Sequence, residues 1–289
     1  MPTSKTLTLG HSPDPDDAFM FYALAQDKID THGWRFEHIL QDIQTLNERA
    51  TRGELHISAI SIHAYAYVLD RYALLPCGAS MGDGYGPMLI TRADVPLPDL
   101  TDERAVIEWL ATRKIAVPGT MTSAYLSLRL FMGEANSTVV PFDQIFDHVA
   151  SGKSDVGLII HEGQLTYANE GFRKVVDLGV WWKGKTGLPL PLGGNVIRKD
   201  IAPADRSAIN VILRESIRYG LEHRAAGVEH AMPLARGMDT ALADQFIGMY
   251  VNDFTMDYGD IGRRAIREFL RQGHAAGLIP APVELEFVD

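Results

Sequence analysis

The sequence predicts an α/β protein of two lobes with a cleft between them. Three observations carry this. Gly and Pro punctuate short strand-like runs, with helical stretches between them, the alternation expected of an α/β fold. The chain also echoes itself: "TLTLGHSPDPDDAFMFYAL" (6–24) and "KIAVPGTMTSAYLSLRL" (114–130) both read as strand, loop, helix, as an internal repeat would. Finally, "GDGYGPMLITR" (82–92) and "TGLPLPLGGNVIRKD" (186–200) are Gly/Pro-rich entries into apolar runs with an Arg at their end. They suit a pair of crossover strands between lobes.

In chain order, each unit continues alike. "WRFEHIL" (34–40) predicts a strand, "DIQTLNERATRG" a helix and "ELHISAIS" (54–61) a strand. In the second unit "STVVPFD" (137–143), "QIFDHVASG" and "SDVGLII" (154–160) repeat that order. Gly53 and Gly152 stand where a helix ends and a left-handed residue is wanted. The C-terminal part predicts helices over "RSAINVILRESIRYGLEH", "DTALADQFIGMYV" and "GRRAIREFLRQGHAAG". In the first of these, Ile209, Ile212, Leu213, Ile217 and Leu221 recur at helical spacing. The expected division is a discontinuous lobe of residues 1–93 and 197–289, and a smaller one of residues 94–196.

The 289 residues carry a formal net charge of −10 and no Lys/Arg-rich run. Nothing offsets the charge of a nucleic-acid backbone or an anionic membrane, so neither is an expected partner. The N-terminus lacks the apolar stretch of a signal peptide, and no apolar run approaches the ~18 residues of a membrane span. Cys77 is the single cysteine. An intrachain disulfide is impossible, and a cytoplasmic protein is expected.

Three loops after apolar strands are candidate cleft walls. In "HSPDPDD", Asp14 suits an N-cap with Pro15 at the first helical position, and Asp16 and Asp17 suit the helix dipole. The same carboxylates could accept bonds from substrate hydroxyls. In "PGTMTSAY", Thr122 and Ser123 are equally caps or part of an anion site at a helix entrance. One entrance is acidic and the other open to an anion, which suits a ligand with a carboxylate at one end and hydroxyls at the other. In "GLIIHEGQLTY", His161 follows a strand, as a general base or as a histidine bonding a backbone carbonyl. Its neighbour Glu162 is expected to point away and serve the fold. Ser61 and His63, at the end of "ELHISAISIH", complete the candidate substrate contacts. There is no dinucleotide fingerprint, HxxxH or CxxC.

The segments "SPDPDDAFMFYAL", "DIQTLNERA", "VPGTMTSAY", "GLIIHEGQLTY", "VVDLGVWW", "TGLPLPLGG" and "YVNDFTMDYG" resemble, in order and over nearly the whole chain, the 1,4-dihydroxy-6-naphthoate synthases of the futalosine route to menaquinone. Chorismate dehydratase belongs to the same wider group. The resemblance implies the clamshell of type II periplasmic solute-binding proteins, with each lobe a mixed sheet flanked by helices. It implies cleavage of cyclic dehypoxanthinyl futalosine into 1,4-dihydroxy-6-naphthoate and a three-carbon fragment, without metal or organic cofactor. The family's catalytic base lands on His161, its paired hydroxyl residues on Thr122 and Ser123, and the Asp of its "SPCPND" pattern on Asp17. This chain departs from the pattern at Asp14 and Asp16, where Cys and Asn are usual, and at Gln164 and Leu165, where Arg-Phe is common. A binding protein for a small carboxylate and a chorismate dehydratase are the alternatives.

Overall fold

A computed structural model describes residues 5–288. The outermost residues of the expected discontinuous lobe, 1–4 and 289, lie outside the described residues. One sheet runs β2 (Trp34–Leu40), β1 (Lys5–His11), β3 (Ile57–Ser61), β11 (Leu190–Arg198), β4 (Tyr72–Leu74), and β5 (Ser80–Gly82) also pairs with β11. The other runs β10 (Phe172–Asp177), β6 (Met88–Arg92), β9 (Val156–Ile159), β7 (Ile115–Val117), β8 (Ser137–Val139).

The two sheets follow one plan. β1 lies parallel to β2 and β3, and β7 lies parallel to β8 and β9. An antiparallel strand then closes each set, β11 against β3 and β6 against β9. This supports the echo read from the sequence. The closing strands are exchanged: β6 follows the first unit but pairs in the second sheet, and β11 follows the second unit but pairs in the first. Residues 88–92 therefore go with the second lobe and 190–196 with the first, a correction to the expected breaks at 93 and 196. The reason is that a crossover strand must satisfy its own backbone N–H and C=O groups. Each finds its ladder in the sheet that it enters.

Strand interiors explain the pairing. Every residue of β3 and β9 is buried, as central strands covered on both faces require. Leu9, Ile57 and Ile60 are fully enclosed, each stabilising the fold by about 1.5–3 kcal/mol. The helix Pro203–Glu222 turns Ile209, Ile212, Leu213 and Ile217 inward. The helix Gly259–Ala275, expected within the discontinuous lobe, instead spans both: Phe269 meets the buried Trp182 edge-on at 5.3 Å, and Gly273 lies against Leu126. Carboxyl ends of strands from both sheets face the gap between lobes.

Candidate active site

A cavity of about 130 Å³ lies in that gap. Asp14 walls it from the loop after β1, Asp16 and Asp17 from the first turn of the helix Pro15–Met20, Ser61 from the end of β3, and Thr122 and Ser123 from the turn after β7 and the helix start that follows. Ile160 and Gln164 enter from the turn after β9, and Gly193 and Asn195 from β11. Phe246 and Tyr250 come from the helix Thr240–Tyr250.

The acidic entrance is more than a helix cap. Asp14 holds the N-cap position and Pro15 the first helical position, but the Asp14 side chain makes no capping bond. Its carboxylate accepts from Ser12 Oγ at 2.5 Å and from Arg236 at 2.6 and 2.8 Å. Asp17 accepts from the Ser12 N–H at 2.6 Å. Burial raises the affinity of all three carboxyls for protons. Asp17 is pushed up to about 7, burial outweighing the Ser12 bond. Asp16, enclosed beside Asp17 and Asp14, is held well above the usual range, and Asp14 is raised despite Arg236. Neutral acid donors and carboxylate acceptors can therefore coexist here near pH 7.

The opposite entrance, at the helix Ser123–Met132, is built differently. The Thr122 hydroxyl donates to the Gly119 carbonyl at 2.9 Å and accepts from the Tyr125 N–H at 3.1 Å, a helix cap. The Ser123 hydroxyl donates to the Leu192 carbonyl at 2.5 Å and accepts from the His63 N–H at 3.2 Å. Both hydroxyls are thus engaged by the protein. The free donors are backbone ones: among the described residues, no acceptor takes the Ser123 or Ala124 N–H, and both residues line the cavity. Two aligned amides at a helix N-terminus attract an anion.

The two candidate histidines stand in different surroundings. His63 does not line this cavity; it backs the hydroxyl turn, with Nδ1 at 3.2 Å from the Thr122 carbonyl, and borders a separate recess with Tyr67 and Tyr125. The strand ends at Ser61, so the next turn carries His63 behind the wall. Burial lowers its pKa to about 4, leaving it neutral. His161 is 8 % exposed and its ring is set back from the cavity, between Phe142 (5.8 Å) and Phe146 (5.5 Å). Its Nδ1 accepts from the Gly163 N–H at 3.0 Å, so the neutral ring carries its proton on Nε2. Burial depresses its pKa, opposed by Asp14 and assisted by Arg236. Glu162 does not point away: β9 has already ended at Ile159, and in the turn that follows Glu162 meets Arg236 at 3.1 and 3.3 Å.

Several residues of the site carried no signal in the sequence. Tyr250 donates to Gln164 Oε1 at 2.5 Å. Asn47 is fully buried; it accepts from the Ser61 N–H at 2.9 Å, and its Nδ2 donates to Ser61 Oγ at 3.0 Å. Gln44 accepts from the Met121 N–H at 3.1 Å, joining the two lobes. Asn47 and Gln44 lie on one helix, Ile43–Thr51, whose N-cap Asp42 is of a recognisable type. Their partners are remote and left no pattern.

Residues 7–275 match the model of a family described as "Menaquinone biosynthesis". A protein of Streptomyces coelicolor named 1,4-dihydroxy-6-naphtoate synthase is 38% identical over 286 residues, 96% of each chain. A solved structure from Archaeoglobus fulgidus superposes with a TM-score of 0.87 at 40% identity, over 95% of this chain and 98% of that one. A Candida albicans protein described as having the generic periplasmic binding protein fold superposes with a TM-score of 0.72 at 14% identity, over 98% and 97%. The fold is therefore that of the periplasmic binding proteins.

Proposed function

The chain belongs to the menaquinone-biosynthesis family and is an enzyme, a lyase; from that premise we propose that it cleaves cyclic dehypoxanthinyl futalosine into 1,4-dihydroxy-6-naphthoate and a three-carbon fragment. One observation carries the reading: an acidic loop and a helix entrance with free N–H groups face one cavity. The substrate's ring carboxylate would lie on the Ser123 and Ala124 amides, with Thr122 shaping their turn. Its sugar-derived hydroxyls would meet Asp14, Asp17 and Ser61.

His161 would then remove the proton that starts carbon–carbon cleavage. Its depressed pKa supports this role, because the ring is unprotonated near pH 7. The Nδ1 lone pair must first exchange the Gly163 N–H for the substrate. The cavity must also grow, since 130 Å³ is below the ~300–1,000 Å³ of typical ligand sites. We read the structure as the closed form, with lobes that part to admit substrate and then exclude water. The reading places the reaction in the cytoplasm, where the buried thiol of Cys77 stays reduced.

The test is incubation of the purified protein with cyclic dehypoxanthinyl futalosine and, separately, with chorismate, followed by product chromatography. Naphthoate from the first substrate alone is expected. Turnover of chorismate, or of neither compound, would overturn the proposal.

A further inference from the structure

The cleft carries a guanidinium that the chemistry above leaves unused. Arg236 precedes the helix Thr240–Tyr250. Its Nη2 donates to Asp14 Oδ1 at 2.6 Å and to the Pro13 carbonyl at 3.0 Å, while Nη1 reaches Asp14 at 2.8 Å and Glu162 at 3.1 Å. The same group lies 4.9 Å from the ring centre of Phe142. Asp14 and Pro13 stand on the first sheet's side of the cleft; Glu162 and Phe142 stand on the second sheet's side. Both second-lobe partners adjoin His161: Phe142 meets its ring edge-on, and Glu162 is its chain neighbour, with Oε2 at 3.8 Å from Nδ1.

We propose that Arg236 is a positioning residue of this enzyme, clamping Asp14 to Glu162 when the lobes close and thereby setting His161 against the substrate. The proposal rests on the lyase reading given above. Closure brings two carboxylates from opposite lobes to one place, and the Glu162 side chain is only 7% exposed there. Unpaired, they would repel and hold the cleft open. A planar fork answers both at once, which the point charge of lysine cannot do. The clamp has an electrostatic consequence. Among the described residues, the charged groups facing His161 are Asp14, Glu162, Asp143, Glu170 and Arg236. Arg236 is the one cation among them, and without it the anions favour the protonated ring.

The experiment compares the wild-type protein with Arg236→Met, Arg236→Lys, Glu162→Gln and the double variant Arg236→Met/Glu162→Gln. Steady-state turnover of cyclic dehypoxanthinyl futalosine is measured against pH, and the ligand-free proteins are sized by small-angle X-ray scattering. Arg236→Met should lower kcat by about 10²-fold, the order expected of a small misplacement of a reacting group, with KM changed less than about threefold. The acid limb of kcat/KM should move to higher pH, and the radius of gyration should increase. Arg236→Lys should hold the acid limb in place but recover only part of kcat. The double variant should be no slower than Arg236→Met, since the two residues act as one unit. Wild-type kcat with an unmoved acid limb in Arg236→Met, or multiplying losses in the double variant, would overturn the clamp. If Arg236→Met does not fold, the near-isosteric Glu162→Gln must show the kcat loss, and a wild-type kcat there rejects the proposal. If the wild-type protein does not turn over this substrate, the lyase reading falls on its own; scattering then decides the clamp, and an unchanged radius in Arg236→Met rejects it.

Discussion

Tyr250 hands its phenolic hydrogen across the cleft to Gln164, 86 positions earlier in the chain. Burial pushes the phenol well above its ordinary range, so it is a neutral donor at any working pH. Gln164 and Leu165, both departures from the pattern that the chain resembles, are absorbed in this seam: Leu165 packs in the cluster of Phe246 and Tyr250. Replacing Tyr250 with Phe removes the donor and leaves a buried amide oxygen without it. The expected cost is about 1–3 kcal/mol, seen as a lowered denaturation midpoint. An unchanged midpoint would mean that Gln164 finds another partner.

His161→Asn should fold and bind substrate as before but lose about 10²–10⁴-fold in kcat, the usual weight of a general base. Circular dichroism checks the fold, equilibrium titration the binding and single-turnover kinetics the chemistry. Undiminished turnover removes His161 from the reaction.

Ser123 separates the two kinds of donor at the second entrance. Ser123→Ala deletes the hydroxyl bonds to Leu192 and His63 and should alter stability more than affinity. Ser123→Pro deletes the backbone N–H as well, at the first helical position where proline is accommodated. A hydrogen bond donated to a charged group is worth about 1.5–3 kcal/mol, so the proline variant should bind substrate roughly 10–100-fold more weakly than the alanine variant. Equal affinities would place the carboxylate elsewhere.

Asp17 makes stability depend on pH. Its folded pKa of about 7 lies above the ~3.9 of an unfolded chain. The native state therefore binds the extra proton between those values, and stability falls as pH rises through that window. The slope is at most about 1.4 kcal/mol per pH unit for one proton. Above about pH 7 the loss is complete. Asp17→Asn keeps an acceptor for the Ser12 N–H but does not titrate. Its stability relative to wild type should climb from pH 4 to pH 7 and then level off. Denaturation midpoints across that range check the sign, and a flat difference would show that the carboxyl is solvated.

Local chemistry made much of the fold readable. The strand over Trp34–Leu40, the helices ended by Gly53 and Gly152, and the Thr122 cap all follow from periodicity or end chemistry within a few residues. The approach of three candidate loops to one gap was legible too, because strand ends in two like units face the same way. The depth of a side chain was not. His63 and His161 both follow buried strands, yet one lies behind the hydroxyl turn and the other between two phenylalanines. A single turn after a strand sets that direction, and neighbours from elsewhere decide what it meets.

Sheet membership of the crossover strands, and every bond across the cleft, belong to the assembled molecule. Arg236 and Asp14 stand 222 positions apart and Arg236 and Glu162 stand 74 apart. Each is an ordinary surface residue type with no period or spacing to mark it. Near-neighbour preferences write themselves into the order of residues, whereas long-range charge and hydrogen-bond pairs arise only when packing of the two sheets brings their loops into the same low-dielectric space.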